Sequence, residues 1–268
     1  MNTSFESTPG KRILLVPWLI SVLLVLVGVV VFNNSANQAW LLQVHASSMG
    51  PNELWSFLTQ FGEGGAAFLL LTVAAQFVPA ASAVVIKSFL LGSLLSPLLK
   101  NLTAVPRPLG ALEASLLQPI GAPPAGSNAM PSGHAMTIAA AISLAIYMTR
   151  HAKHRGLLWA VLVLFGSMVA FSRVVVGAHW PADVLVGSGL GILVALLALA
   201  WEQRSPWSPR LQTKHFQFAL LLVELGLVIY LFKAKADTDA ARLAFDLIAT
   251  IGIAGAMNRW IRLRRSAA

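Results

Sequence analysis

Apolar residues fall along the chain in long uninterrupted runs, separated by short polar stretches. The runs are 13–32, 54–77, 82–99, 133–149, 157–173, 182–201, 216–232 and 243–260. A helix that crosses the hydrocarbon of a bilayer needs about 20 apolar residues, within a range of roughly 17–25. Backbone polar groups in lipid must find partners inside their own segment, so each run predicts a helix rather than a strand. The pattern predicts an all-α fold: a polytopic transmembrane helical bundle. The second and third runs meet at Val78-Pro79-Ala80 with almost no connection between them. The first run follows Lys11 and Arg12 and is longer than the apolar part of a signal peptide. No small-x-small cleavage site follows it closely, so it reads as a retained anchor.

Composition agrees with the runs. Hydrophobic residues make up 57% of the chain and charged residues 11%, against about 25% charged in a soluble domain. So few charges cannot cover a water-facing surface, and the expected partner is a membrane. The net charge of +9 does not point to nucleic acid, because the basic residues cluster at the ends of apolar runs, where they orient helices and meet anionic headgroups. With Lys11 and Arg12 placed in the cytoplasm, eight crossings put four further basic regions on the same side. These are Lys87, the loop of Arg150, Lys153 and Arg155, the loop of Arg204, Arg210 and Lys214, and the tail of Arg259, Arg262, Arg264 and Arg265. Both termini are then cytoplasmic. Lys233, Lys235 and Arg242 flank an outer loop that also carries Asp237 and Asp239. Lys100, Arg107 and Arg173 are left without such an explanation. The chain has no cysteine, which removes disulfides and thiolate metal sites from consideration.

Three polar clusters interrupt this background: Lys100-Asn-Leu-Thr-Ala-Val-Pro106-Arg107-Pro108; Pro131-Ser132-Gly133-His134; and Ser172-Arg173-Val-Val-Val-Gly177-Ala178-His179-Trp180-Pro181-Ala182-Asp183. Cluster one ends the third run, cluster two opens the fourth, and cluster three joins the fifth to the sixth. In the orientation set by the loop charges, all of these ends lie on the outer side. Three cations against the single carboxylate of Asp183 call for an anionic ligand, with Arg matched to phosphate oxygens as a planar fork and Lys as a point charge. Ser132 and Gly133 stand at a helix start, where unpaired N–H groups and the helix dipole favour phosphate. Asp183 lies four residues after His179, a spacing that lets it hold the Nδ1–H and leave Nε2 as a nucleophile. His134, among cations only, regains a proton when an anionic substrate binds, which suits it to protonate a leaving group.

These clusters closely resemble the type-2 phosphatidic acid phosphatase family, whose pattern is Lys-x6-Arg-Pro, then Pro-Ser-Gly-His, then Ser-Arg-x5-His-x3-Asp. Each element is present without a substitution, and the resemblance covers roughly residues 54–201. The Gly-Ala-His-Trp-Pro stretch is most similar to bacterial members that act on phosphatidylglycerol phosphate and undecaprenyl diphosphate. The resemblance implies a six-helix phosphatase core in the inner (cytoplasmic) membrane of a bacterium, with its active site on the periplasmic face. It implies His179 as nucleophile, Asp183 as its orienting group and His134 as general acid. Lys100, Arg107, Ser132, Gly133 and Arg173 would hold the phosphate. No metal and no cofactor is implied. The expected substrate is a lipid phosphate, with undecaprenyl diphosphate first and phosphatidylglycerol phosphate and phosphatidic acid behind it.

The chain then divides into an anchor helix and outer loop (1–53), a phosphatase core (54–201), and about two extra C-terminal spans with a basic cytoplasmic tail (202–268). Other readings are a lipid phosphotransferase or lipid A-modifying enzyme of the same fold, and a non-catalytic lipid-binding or transport protein. A vanadate-dependent haloperoxidase shares the motifs but is soluble, which the apolar runs oppose. The extra spans carry two acids in positions where ionisable groups are costly. Asp246 has Arg242 four residues before it, whereas Glu224 has no local partner and is expected to be protonated or to face another helix.

Overall fold

Every apolar run becomes helical, as the lipid environment requires of a backbone with no other partner. The structure is a computed structural model and describes residues 11–47, 50–78, 80–113, 115–121 and 126–265. Its helices are α1 (Lys11–Phe32), α2 (Ala36–Ala46), α3 (Asn52–Thr59), α4 (Gly64–Ala75), α5 (Ala81–Thr103), α6 (Pro108–Ala111), α7 (Gly133–Met148), α8 (Arg155–Val175), α9 (Pro181–Arg204), α10 (Ser208–Leu211), α11 (Lys214–Lys233) and α12 (Asp239–Arg265). By length and composition, α1, α5, α8, α9, α11 and α12 are able to cross a membrane. No strand occurs among the described residues, only an isolated antiparallel bridge between Pro106 and Asn128.

The bundle is built on α9, which packs against α1, α5, α7 and α8. Small residues permit the closest approaches, as expected where helices meet in lipid. A Cβ on Gly28 would lie 2.7 Å from Val186, and one on Gly191 would clash with the Met136 carbonyl. The Ser21 hydroxyl adds a bond to the Gly189 carbonyl at 2.7 Å. Helices α11 and α12 pair with each other and lie against α3 and α4.

Two readings of the sequence change here. The second run is not one straight span. Residues 52–62 and α4 meet at a bend of 64°, at the breaker sequence Gly62-Glu63-Gly64-Gly65. Glu63 caps the second half, accepting from the Ala66 N–H at 2.7 Å. The joint with the third run lies at the opposite end of α4, and Pro79 within it is outside the described residues. Lys87 and Arg259, grouped above with cytoplasmic cations, have no exposed ammonium or guanidinium. Lys87 is fully buried, 2.5 Å from Glu202, and its ammonium stands over the rings of Trp201 and Trp207. Arg259 is buried against Glu224. Glu224 thus faces another helix, as an ion pair between α11 and α12. Asp246 pairs with Arg242 at 2.8 Å.

Helix α7 has 16 residues and is about 24 Å long at 1.5 Å per residue, shorter than the roughly 30 Å hydrocarbon core. It is too short to span that core by itself. The N-terminal end, which carries Ser132, Gly133 and His134, is the one surrounded by polar groups.

Candidate active site

Local backbone devices bring the three clusters together. Helix α5 stops at Ala104, which takes a left-handed conformation (φ 49°). The chain then runs beside 126–129, with Arg107 N–H bonding to the Ser127 carbonyl at 3.1 Å and Ala129 N–H to the Val105 carbonyl at 2.7 Å. Helix α8 ends at Gly177, whose φ of 74° favours glycine. The turn lets the N–H groups of Ala178 and His179 both reach the Arg173 carbonyl at 3.1 Å. Pro181 opens α9 as the first helical residue, where its missing N–H costs nothing. The Ala182 N–H of that first turn donates to Asn37 on α2.

Asp183 has two tasks. Its Oδ2 accepts from the Trp180 N–H at 2.9 Å, capping α9, and stands 3.2 Å from His179 Nδ1. The carboxylate therefore holds the proton on Nδ1. His179 Nε2 keeps its lone pair and accepts from Arg107 Nη1 at 3.1 Å. Arg107 is placed by two carbonyls, Gly126 at 2.8 Å from Nε and Ala178 at 3.0 Å from Nη1. His179 is buried and lies outside the helices. Desolvation, and then the charges of Arg173, Arg107 and Lys100 and the neighbouring His134, keep its imidazole well below the ordinary value of 6.5. It is a neutral base near neutral pH.

Arg173 donates to the Thr59 hydroxyl at 2.6 Å. Its Nε and the Asp183 Oδ1 are buried without hydrogen-bond partners. An unmet guanidinium donor is costly, and an anion in the adjoining cavity would satisfy it. Lys100 reaches the Asn128 carbonyl at 3.4 Å, a weak tether. Among the described residues no hydrogen bond holds the half-buried His134 ring. Gly62, at the bend, lies against it, so closely that a Cβ there would come within 3.0 Å.

A cavity of about 380 Å³ is lined by Lys100, Arg107, Arg173, His134 and His179, with Gly133 beside them. Six of the eight residues singled out in the sequence thus share one wall. The other two lie behind it. Asp183 is fully buried, and so is Ser132, whose Oγ accepts from the Ala135 N–H and whose own N–H donates to the Asp183 carbonyl at 3.0 Å. Helix α9 comes this close because residue 187 is glycine: a Cβ there would meet the Ser132 carbonyl at 2.5 Å. The motifs did not mark Ser56, Thr59, Gln60 and Asp237, which also line the cavity. The first three arrive through the bend of the second run. Asp237 had one signal, its place in a loop on the same side as the clusters.

A second cavity, of about 360 Å³, lies between α4, α5 and α7 and is lined mainly by apolar and small residues, among them Phe68, Leu71, Val85, Phe89 and Met136. It shares Gly133 and His134 with the first.

A sequence profile of the PAP2 superfamily matches residues 66–207. Among curated proteins, the chain is 28% identical over 120 residues to an undecaprenyl-diphosphatase of Sulfolobus acidocaldarius, covering 44% of this chain and 54% of that one. It is 30% identical over 83 residues to phosphatidylglycerophosphatase B of Bacillus subtilis, covering 29% and 41%. It is 35% identical over 104 residues to a lipid A 1-diphosphate synthase of Escherichia coli, covering 35% and 40%. The matches thus span about half or less of these relatives' length. Among solved structures, a transmembrane PAP2-type phosphatidylglycerolphosphate phosphatase from Bacillus subtilis superposes with a TM-score of 0.57 at 20% identity, covering 71% of this chain and 98% of that one. Aquifex aeolicus LpxE gives 0.54 at 21% identity, covering 63% and 97%. At these identities the likeness is one of fold.

Proposed function

The chain belongs to the PAP2 superfamily, and we propose that it is a membrane lipid phosphatase that hydrolyses a phosphate monoester or diphosphate through a phosphohistidine. The observation that carries this reading is the pair of cavities meeting at His134: a cationic one for a phosphate and an apolar one for a chain. The curated relatives named above, each acting on or making a lipid phosphate, support the substrate class. Undecaprenyl diphosphate, phosphatidylglycerol phosphate and phosphatidic acid are the candidates.

The phosphate oxygens take Lys100, Arg107 and Arg173, together with the N–H groups at the start of α7. Arg107 turns its donor from His179 Nε2 to a phosphate oxygen, and the lone pair it leaves meets phosphorus. As the Nε2–P bond forms, the bond from phosphorus to the leaving oxygen breaks, and protonated His134 gives that oxygen its proton. The cations stabilise the charge that builds on the equatorial oxygens. Water then attacks the phosphohistidine, neutral His134 takes its proton, and the Nε2–P bond breaks to release inorganic phosphate. Asp183 keeps the Nδ1 proton throughout. A cavity whose charges are already positive holds an anion directly, so the reaction proposed needs no metal. The distribution of the remaining Lys and Arg residues supports a site on the outer face and both termini in the cytoplasm, and the resemblance to bacterial members of the family supports the inner membrane.

The test is phosphate release in detergent from the three lipids and lipid A, with EDTA present. Release is expected from at least one lipid and is expected to survive the chelator. Folded protein that releases nothing would sink the hydrolase reading. Loss of phosphate from the lipid only when an acceptor lipid is added would instead establish phosphotransfer, the activity that the name of the Escherichia coli relative suggests.

The neutral state of His179 also predicts a pH profile. Its imidazole is held below 6.5, so protonation of the nucleophile comes late on the acid side. The profile of kcat/KM, which reports the free enzyme, is expected to show no acid limb from His179 at pH 6.5 or above once the substrate phosphate's own ionisation, at about 6, is divided out. A remaining acid limb centred at 6.5 or above in the wild type would contradict a nucleophile held neutral by burial and the surrounding cations.

A further inference from the structure

The family match ends at residue 207, yet the hairpin of α11 and α12 beyond it reaches the active cavity. The connection between these helices, 234–238, places Asp237 on the wall that carries Lys100, Arg107 and Arg173. It is firmly held. Arg242 of α12 closes the end of α11 by donating to the carbonyls of Leu231 (2.7 Å), Ala234 (3.1 Å) and Phe232 (3.3 Å). The Thr238 hydroxyl accepts from the Ala241 N–H at 3.0 Å, capping α12, and bonds Ser56 on α3 at 2.6 Å. On the other side Asp237 faces the turn at Gly121, where a Cβ would lie 3.6 Å from the Asp237 Cβ. Asp237 has no ion-pair partner within 4.0 Å among the described residues, so its carboxylate is available to a ligand.

A carboxylate does not bind the phosphate being transferred, because both are anions. It meets what lies beside that phosphate. The cavity has room for such a neighbour: about 380 Å³ is the space of roughly a dozen waters. In phosphatidylglycerol phosphate the neighbouring group is a hydroxylated glycerol. In a diphosphate it is a second anionic phosphate, which a carboxylate repels. Resting on the lipid-phosphatase reading above, we propose that Asp237 is a specificity-determining residue. It accepts hydrogen bonds from a hydroxyl- or ammonium-bearing headgroup next to the scissile phosphate and disfavours lipid diphosphates. The extra hairpin is thereby a headgroup filter fitted to the core.

The test compares three lipids with identical acyl chains, namely phosphatidic acid, phosphatidylglycerol phosphate and diacylglycerol diphosphate, and reads ratios of kcat/KM. In Asp237→Asn, the ratio of diphosphate to phosphatidic acid is expected to rise about threefold to fivefold, the effect of removing one like charge from an exposed position at the cavity wall. The ratio of phosphatidylglycerol phosphate to phosphatidic acid is expected to fall. Asp237→Glu restores the charge and is expected to return both ratios towards the wild type. Asp239→Asn removes a neighbouring charge outside the cavity and is expected to leave them in place. Unmoved ratios in Asp237→Asn, or an equal shift in Asp239→Asn, would overturn the assignment while leaving the phosphatase reading intact. A folded wild type that releases phosphate from none of the three would instead remove the reading on which the assignment rests.

Discussion

Replacing His179 with alanine is expected to lower phosphate release by at least about a thousandfold, because it removes the atom that attacks phosphorus. The fold should survive the change. His179 sits in a turn, and the bonds that shape it there are its backbone N–H to Arg173 and those of its neighbours. Asp183→Asn is a poorer probe. The Asp183 carboxylate caps α9 through the Trp180 N–H as well as orienting the histidine, so its loss mixes folding with chemistry. The covalent step has its own signature. Wild type mixed briefly with phosphate-labelled lipid and quenched in alkali should carry label stable to base and labile to acid, absent from His179→Ala. A variant that kept activity within tenfold of the wild type would refute His179 as nucleophile.

Glu224→Ala is expected to destabilise the protein by about 3–5 kcal/mol, the cost of leaving a buried charge without its partner. Arg259 gives two bonds to the Glu224 carboxylate, at 2.7 and 2.9 Å, and further bonds to Gln217 and to the Thr72 carbonyl at 3.2 Å. Gln76 extends the network from α4, donating to Gly255 at 3.0 Å and accepting from Asn258 at 2.8 Å. Removing the carboxylate strands a buried guanidinium, 2% exposed, among packed helices. The double variant Glu224→Met, Arg259→Met removes both charges and is expected to recover most of the loss, since apolar replacements of a buried pair are often neutral. Thermal melting followed by circular dichroism in detergent measures both. A single variant that melted within about 2 °C of the wild type would mean that the pair holds nothing together. The pair joins α11 to α12, and the bonds of the same network to Thr72 and Gln76 tie the hairpin to α4.

The sequence by itself determined the membrane class, the order of eight apolar helical segments and the residues that gather around His179. Physical necessity made these legible. A backbone in lipid satisfies itself within each segment, so hydropathy reports helices one at a time. The motif spacings Lys100 to Arg107 and His179 to Asp183 are local, and each lies at or beside a helix end. Loop charges predict those ends on one side. What only the tertiary structure decided depends on partners far apart along the chain. Lys87 and Arg259 read as cytoplasmic cations because hydropathy and charge counts see no partner, whereas Glu202 lies 115 residues from the first and Glu224 lies 35 from the second. The bend at Glu63 carries Thr59 to Arg173, 114 residues away. Asp237 reaches the cavity only because the extra hairpin packs on α3 and α4. Each of these outcomes is set by which helices meet and at what depth. No periodicity within a single segment encodes that, because lipid offers the same apolar contact to every face and leaves the choice of neighbour to small residues and buried polar pairs.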